Sequence, residues 1–208
     1  MKRLIVNGDD LGYSAGVNRG ILQAHSGGIL TSASLMVDEP GAAEAAELVI
    51  GTPSLSVGLH AVLDRGRERP WPDRCEPELE RQLARFEELV GARPTHLDSH
   101  HHVHRKPDLE PIFVAFAQRH ELALRDHSVR HCGLFYGAGS VGAENLLEIL
   151  GGIDEGITEL GCHPGYAEGL DSSYTGEREH EVRTLTNPGV RARIEELGIE
   201  LIGWDAVS

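Results

Sequence analysis

Short apolar runs alternate along this chain with longer segments in which apolar residues recur at helical spacing. The apolar runs predict these strands: Arg3–Asn7, Ser32–Val37, Ser56–Leu59, His96–Ser99, Ala123–Arg125, Ile157–Cys162 and Glu200–Trp204. The segments between them predict these helices: Gly16–His25, Ala42–Ile50, Glu76–Val90, Leu109–Gln118, Ala143–Leu150 and Gly189–Leu197. Such alternation is typical of parallel strands joined by right-handed crossovers. The pattern therefore predicts an α/β fold, a seven-stranded and incomplete (β/α) barrel, with a flat doubly wound sheet as the alternative.

Four of the predicted strands run into short polar clusters that are rich in Asp and His. The clusters are Asn7-Gly8-Asp9-Asp10, Gly58-Leu59-His60, the run from His96 to His104, and Gly161-Cys162-His163-Pro164-Gly165. The carboxyl ends of parallel barrel strands meet at one face and project side chains into a shared cavity. Because Asp and His are both metal ligands, the four clusters together indicate a metal-dependent hydrolase.

The adjacent carboxylates Asp9 and Asp10 suit such chemistry. Neighbouring residues at a strand end point in different directions, so one carboxylate can bind a metal while the other stands free beside it. The free carboxylate can then take a proton from water. The alternative is that Asp-Asp-Leu-Gly forms a turn and caps the next helix.

The run from His96 to His104 is the strongest metal signal, because buried imidazoles each need a partner and five of nine residues are histidine. In an extended chain its even-numbered positions share one face. If a helix starts there, His100 and His104 share a face instead. Some members are expected to bind the metal, and others to orient ligands or hold the substrate. We expect Asp98 and His102 on the substrate side.

His60 and His163 are single histidines at strand ends. His60 is either a ligand or a hydrogen-bonded core residue. Pro164 restricts His163 to extended geometry and Gly165 permits a sharp turn, which suits a rigidly held general acid, with a structural turn as the alternative. One Asp and two His from three strands make an open three-ligand site. Imidazole ligands favour zinc or another transition metal over magnesium.

Composition narrows the range of possible functions. The 208 residues fit one domain, 1–208, and the net charge of −14 argues against binding to nucleic acid or to an anionic membrane. We expect a small neutral or cationic substrate. The three cysteines form no zinc-knuckle or disulfide pattern, and no stretch approaches ~18 apolar residues, so a cytoplasmic protein is expected. The oligomeric state stays open, with a homodimer as one option.

Six segments resemble, in the same order, the YdjC-like (ChbG-type) carbohydrate deacetylases. They are Leu4–Gly12, Gly16–Ile21, Thr31–Val37, Val57–His60, Pro94–His104 and Cys162–Pro164. The resemblance implies a (β/α) barrel related to polysaccharide deacetylases, which removes acetyl groups from N-acetylated amino sugars such as chitooligosaccharides. It implies that Asp9 is the catalytic base, that Asp10, His60 and His100 bind the metal, and that His163 is the histidine of the last motif. It also implies one divalent ion, Mg²⁺ in the family, whereas the ligand chemistry favours Zn²⁺.

The expected substrate is therefore a small N-acetylated sugar. The aromatic candidates for stacking on a sugar ring are Tyr13, Trp71, Tyr166 and Tyr174. Two predicted loops, Asp64–Glu76 and Tyr166–Thr175, directly follow candidate strand ends and should lie over the site. The chain is shorter than the family between His60 and His96, which predicts a more open mouth beside Trp71.

Two other functions fit the same clusters. A metal phosphoesterase also uses Asp and His, but Arg19 and Arg125 are the only obvious basic candidates for holding phosphate. A non-catalytic metal- or sugar-binding protein would keep the ligands but would not need Asp9 beside Asp10.

Overall fold

A curled sheet of parallel strands, wrapped by helices, forms the fold of this protein. The computed structural model describes residues 1–63, 72–170 and 172–207. The strands are β1 (Lys2–Leu11), β2 (Ser32–Leu35), β3 (Ser56–Ala61), β4 (His96–Ser99), β5 (Ala123–Leu124), β6 (Arg130–Cys132), β7 (Gly156–Cys162) and β8 (Glu200–Leu201). The helices are α1 (Ala15–Ser26), α2 (Ala42–Ile50), α3 (Pro72–Val90), α4 (Glu110–Arg119), α5 (Ala143–Gly151), α6 (Gly176–Leu185) and α7 (Pro188–Glu196).

Seven of the strands follow one another across the sheet in the order β5-β4-β3-β2-β1-β7-β6, and β8 pairs with the start of β1. All the pairings are parallel. An isolated bridge joins Arg125, just after the end of β5, to Val129, just before the start of β6. The predicted incomplete (β/α) barrel is confirmed, and the carboxyl ends of the strands open at one face.

The central strand β1 carries the two adjacent aspartates. It is buried from Leu4 to Leu11, and β7 pairs with one of its edges while β8 and then β2 pair with the other. The loop that follows is fixed by Asn18 of α1, whose Oδ1 accepts from the Gly12 amide at 2.8 Å. Asn18 Nδ2 donates to the carbonyl of Gly41 at 3.0 Å. These contacts hold the end of β1 in place.

The structure differs from the predicted elements at several places. β1 continues to Leu11, so both aspartates belong to the strand. Strand β6 and helix α6 were not predicted, because β6 is only three residues long and α6 is mostly polar, with GEREHEVRTL as its sequence. The predicted strand His96–Ser99 is confirmed as β4, and the open alternative of an extended run through His104 is excluded, because residues His100–Arg105 form a 3₁₀ turn.

No helix within the described ranges combines the length and the apolarity that a membrane span requires.

Candidate active site

A cavity of about 950 Å³ opens at the carboxyl ends of the strands. Predicted site residues from four strand ends line it, namely Asp9, Asp10, His60, His100, His102 and His163. Tyr13 and Tyr174 also line the cavity. The four polar clusters recognised in the sequence therefore meet in one place, as the barrel prediction required.

Three of these side chains form a compact donor set. Asp10, His60 and His100 each offer one atom, and these atoms all lie within 4.8 Å of one another. Asp10 Oδ1 is 3.3 Å from His60 Nε2 and 3.2 Å from His100 Nδ1. One carboxylate oxygen and two imidazole nitrogens in this arrangement are a donor set that can hold a divalent transition metal.

Residues behind His60 fix its orientation. His60 Nδ1 is 2.7 Å from Asp98 Oδ1, which leaves Nε2 directed towards Asp10. Burial alone would lower the pKa of His60, but the charge of Asp98 and the hydrogen bonds of Asp10 and Asp98 raise it to about 10. The two carboxylates therefore favour a positive charge at this imidazole, which either a second proton or a cation at Nε2 supplies.

Arg178 of α6 holds the other oxygen of Asp10. Its guanidinium donates to Asp10 Oδ2 at 2.5 Å, so Oδ1 alone faces the two histidines. Asp10 has a φ of 68°, in the left-handed region that Asp tolerates better than most residues. The backbone and the arginine together determine which carboxylate oxygen enters the donor set.

Asp9 is held by a buried arginine rather than by the donor set. The Arg125 guanidinium donates to both oxygens of Asp9, at 2.7 and 2.8 Å. The same group contacts Asp98 at 2.8 Å and Glu159 at 2.7 Å, so one cation serves three carboxylates. Burial would raise the pKa of Asp9, but the charge and hydrogen bonds of Arg125 hold it well below the usual value. Asp9 is therefore ionised at neutral pH.

His163 lies next to Asp9 on the cavity wall. Its Nε2 is 3.9 Å from Asp9 Oδ2, and Nδ1 has no hydrogen-bond partner among the described residues. Burial lowers the pKa of His163, although the charges of Asp9 and Asp10 oppose this shift. Its backbone amide donates to Glu181, and burial raises the pKa of that carboxyl to about 8. His163 thus lies on the cavity wall with Nε2 next to the carboxylate of Asp9.

The 3₁₀ turn separates the roles of the clustered histidines. His101 and His102 have φ values of 53° and 50°, which turn the chain sharply after His100. Ser99 Oγ and Asp126 Oδ2 hold His104 at 2.6 and 3.1 Å. His96 lies fully buried, where it stacks on Trp204 at 4.7 Å. His104 and His96 therefore support the structure, and His102 stays on the cavity wall.

Two predicted substrate contacts, Asp98 and Tyr166, do not line the cavity, and a third lies outside the described residues. Asp98 is fully buried behind His60, hydrogen-bonded to it and to Ser34, and it has no surface left for a substrate. Tyr166 lies against α1, where its hydroxyl donates to Gln23 at 2.6 Å. Trp71 and most of the loop Asp64–Glu76 fall outside the described residues.

Sequence reasoning missed several residues that build the site. Arg125 was considered only as a phosphate ligand, and Arg178, Glu159, Glu181 and Tyr136 were not considered at all. Arg178 and Glu181 lie on the unpredicted helix α6. A prediction of that helix would have made its Arg178 and Glu181 candidates for contacts near His163. Nothing in the sequence marks Arg125 as the partner of three distant carboxylates.

Comparison with known proteins agrees with this geometry. The family model described as YdjC-like protein matches residues 3–196. The chain belongs to the YdjC-like family. A carbohydrate deacetylase of Geobacillus stearothermophilus is 37% identical, with 96% of each chain covered. A chitooligosaccharide deacetylase of Serratia marcescens is 35% identical, with 96% of this chain and 97% of the relative covered.

Solved structures support the fold of this YdjC-like chain. A candidate cellobiose-phosphate cleavage protein of Enterococcus faecalis superimposes with a TM-score of 0.91 at 28% identity, covering 100% of this chain and 99% of that one. A family 4 carbohydrate esterase of Streptomyces lividans, in complex with acetate, has a TM-score of 0.63 at 11% identity, with 99% and 95% covered. The likeness to the esterase concerns the fold alone, and it confirms the polysaccharide-deacetylase-like architecture.

Proposed function

We propose that this protein is a metal-dependent carbohydrate deacetylase that hydrolyses the acetamide of N-acetylated amino sugars. The proposal rests on two sets of side chains that lie next to each other in one cavity. Asp10, His60 and His100 offer three donor atoms, and the Asp9–His163 pair lies beside them. The names of the relatives from Geobacillus and Serratia support the same reaction.

The donor set fits a single divalent ion. The contact between Asp98 and His60 resembles the carboxylate–histidine arrangement that orients metal ligands. Two imidazoles and one carboxylate favour Zn²⁺, and family membership favours Mg²⁺, so the metal is left to experiment. When bound, the ion would polarise the acetamide carbonyl and acidify a water molecule.

The protein's own groups handle the protons of the reaction. Asp9 is ionised and accepts a proton from the attacking water. His163 in its protonated form donates a proton to the amine nitrogen as the C–N bond breaks. The lowered pKa of His163 makes its imidazolium a stronger acid and less populated, and the charge of Asp9, 3.9 Å away, favours the protonated form. The products are acetate and the free amino sugar.

The phosphoesterase alternative loses its two basic candidates. Arg125 is fully buried and occupied by three carboxylates. Arg19 pairs with Glu168 at 2.5 Å, away from the residues that line the cavity. Of the described cavity residues, Arg105 contacts Asp126 and Arg178 contacts Asp10, so both already serve carboxylates.

The decisive experiment is a deacetylation screen on N-acetylglucosamine and its oligomers, with acetate release and metal content measured together. We expect acetate release that depends on added Zn²⁺ or Mg²⁺ and stops with a chelator. An Asp9→Asn variant should keep its metal and lose turnover. Metal binding without acetate release from any of these sugars would favour the non-catalytic binder, and release of phosphate from sugar phosphates would favour the phosphoesterase.

Replacing His163 tests the proton donor. His163→Ala should lower turnover by about 10²–10⁴-fold, the usual range for a general acid. Metal content should change little, because His163 is not part of the donor set. Loss of the metal in this variant would instead make His163 a ligand. His25→Ala is a matched control, since this histidine contacts Leu30 and Ser54 and does not line the cavity.

A further inference from the structure

Two tyrosines form an aromatic wall beside the proposed proton donor. The rings of Tyr136 and Tyr174 stack with centroids 4.9 Å apart and planes 9° apart. Tyr136 lies 5.2 Å from the His163 ring, and Tyr174 lies 5.9 Å from it, both edge-on. Both tyrosines line the cavity that holds Asp9 and Asp10.

The wall is held in place by hydrogen bonds and by a buried anchor. The Tyr174 hydroxyl donates to Glu181 Oε1 at 2.7 Å and accepts from the Gly137 amide at 3.1 Å. The second bond ties the loop that carries Tyr136 to Tyr174. Phe135, the residue before Tyr136, is fully buried and anchors the loop to the hydrophobic core. These contacts therefore fix the position of Tyr136.

Tyr136 is nevertheless exposed to solvent over 56% of its surface. Single exposed apolar residues are common, but this ring is held on a fixed loop and lines the cavity, so it offers an apolar surface to a molecule bound there. Tyr174 covers one face of the Tyr136 ring. Tyr136 also contacts the His163 ring, which in turn lies next to Asp9. The open aromatic surface thus sits next to the place where the acetamide would be cleaved.

We infer that Tyr136, backed by Tyr174, is the platform on which the apolar face of a pyranose ring stacks. The aliphatic C–H groups of that face carry partial positive charge and pack against the negative face of an aromatic ring. This inference rests on the proposed deacetylase function, and it assigns a sugar contact to the loop between β6 and α5. Tyr136 is thereby a residue that determines specificity for a sugar.

The test uses Tyr136→Ala, Tyr136→Phe and the control Leu134→Ala. Leu134 lies on the same loop and is 70% exposed, but it does not line the cavity. The probe is N,N′-diacetylchitobiose. Its KM and kcat are measured on metal-loaded protein, and its affinity is measured by calorimetry on chelator-treated protein, where turnover does not interfere.

We expect Tyr136→Ala to raise KM and weaken affinity by about tenfold or more with kcat little changed, as uniform binding is lost. Tyr136→Phe keeps the ring and should stay within about twofold of the wild type. Leu134→Ala should match the wild type.

These measurements distinguish a failure of the Tyr136 platform from a failure of the proposed function. Wild-type KM and affinity in Tyr136→Ala overturn the platform, even if acetate is released. Tyr136-dependent binding without any acetate release supports the platform and overturns the deacetylase. A wild-type protein that neither binds nor cleaves the sugar overturns both. Equal losses in Leu134→Ala would show that the loop alone was disturbed, and they would also overturn the platform.

Discussion

Replacing Arg125 with Met is expected to destabilise the protein by at least about 3 kcal/mol, since it leaves buried carboxylates without their cation. Arg125 is fully buried and contacts Asp9, Asp98 and Glu159 within 2.8 Å. Each of these carboxylates would have to stay charged in a poorly hydrated interior or take up a proton. Urea unfolding at pH 7, followed by circular dichroism, measures the change in the free energy of unfolding.

A second substitution keeps this experiment interpretable when the single variant folds poorly. Adding Glu159→Gln removes one of the uncompensated charges, so Arg125→Met with Glu159→Gln should recover part of the lost stability. Arg130→Met is the matched control on β6, because its partner Asp154 is exposed, and a change within about 0.5 kcal/mol is expected there. A wild-type unfolding midpoint in Arg125→Met would show that the carboxylates do not depend on this arginine.

Replacing any one of Asp10, His60 or His100 with Ala should remove most of the bound metal and abolish acetate release. The three donor atoms lie within 4.8 Å of one another, so losing one leaves two, too few for a stable site. Replacing a residue that only hydrogen-bonds to a metal ligand typically lowers metal affinity by about 10–100-fold, and the loss of a ligand itself should lower it by more. Metal content after dialysis, together with calorimetric titration of Zn²⁺ and Mg²⁺, measures the effect.

His100→Ala is the most informative of the three variants. The His100 side chain is 23% exposed, so its removal should leave the fold intact. His120→Ala is the control, because that histidine contacts Glu80 at the end of α4 and should not affect metal binding. Full metal retention in His100→Ala would exclude it as a ligand and make His102, on the same turn, the next candidate.

The part of the site that sequence could predict is the part carried by short local motifs. Asp9, Asp10, His60, His100 and His163 all follow or end apolar strands, and parallel strands bring such ends together. The pattern could not distinguish among the clustered histidines. Whether an imidazole at the end of β4 faces the cavity depends on where the strand stops and the turn begins. His96 stands at the opposite end of β4, where it stacks on Trp204, whereas His100 follows the last residue of the strand and faces Asp10.

The rest of the site depends on contacts between distant segments. Arg125 meets Asp9 across 116 residues, and Arg178 meets Asp10 across 168. Neither arginine has a local pattern that reveals its partner, because any barrel strand or helix can supply the cation. Helix α6 has low apolar content, and only its tertiary packing makes it a helix.

The central position of β1 also sets the order in which the molecule can assemble. Residues Lys2 to Gly8 pair with Gly156 to Cys162, so β1 leaves the ribosome long before the strand that pairs with it along this edge. Closing so long a loop is slow, and meanwhile an apolar strand lacks its neighbour. Asp10 must wait longer still, until Arg178 has been translated. The candidate site is therefore completed only after β7 and Arg178 have been translated, and a nascent chain halted before β7 carries its aspartates without a site.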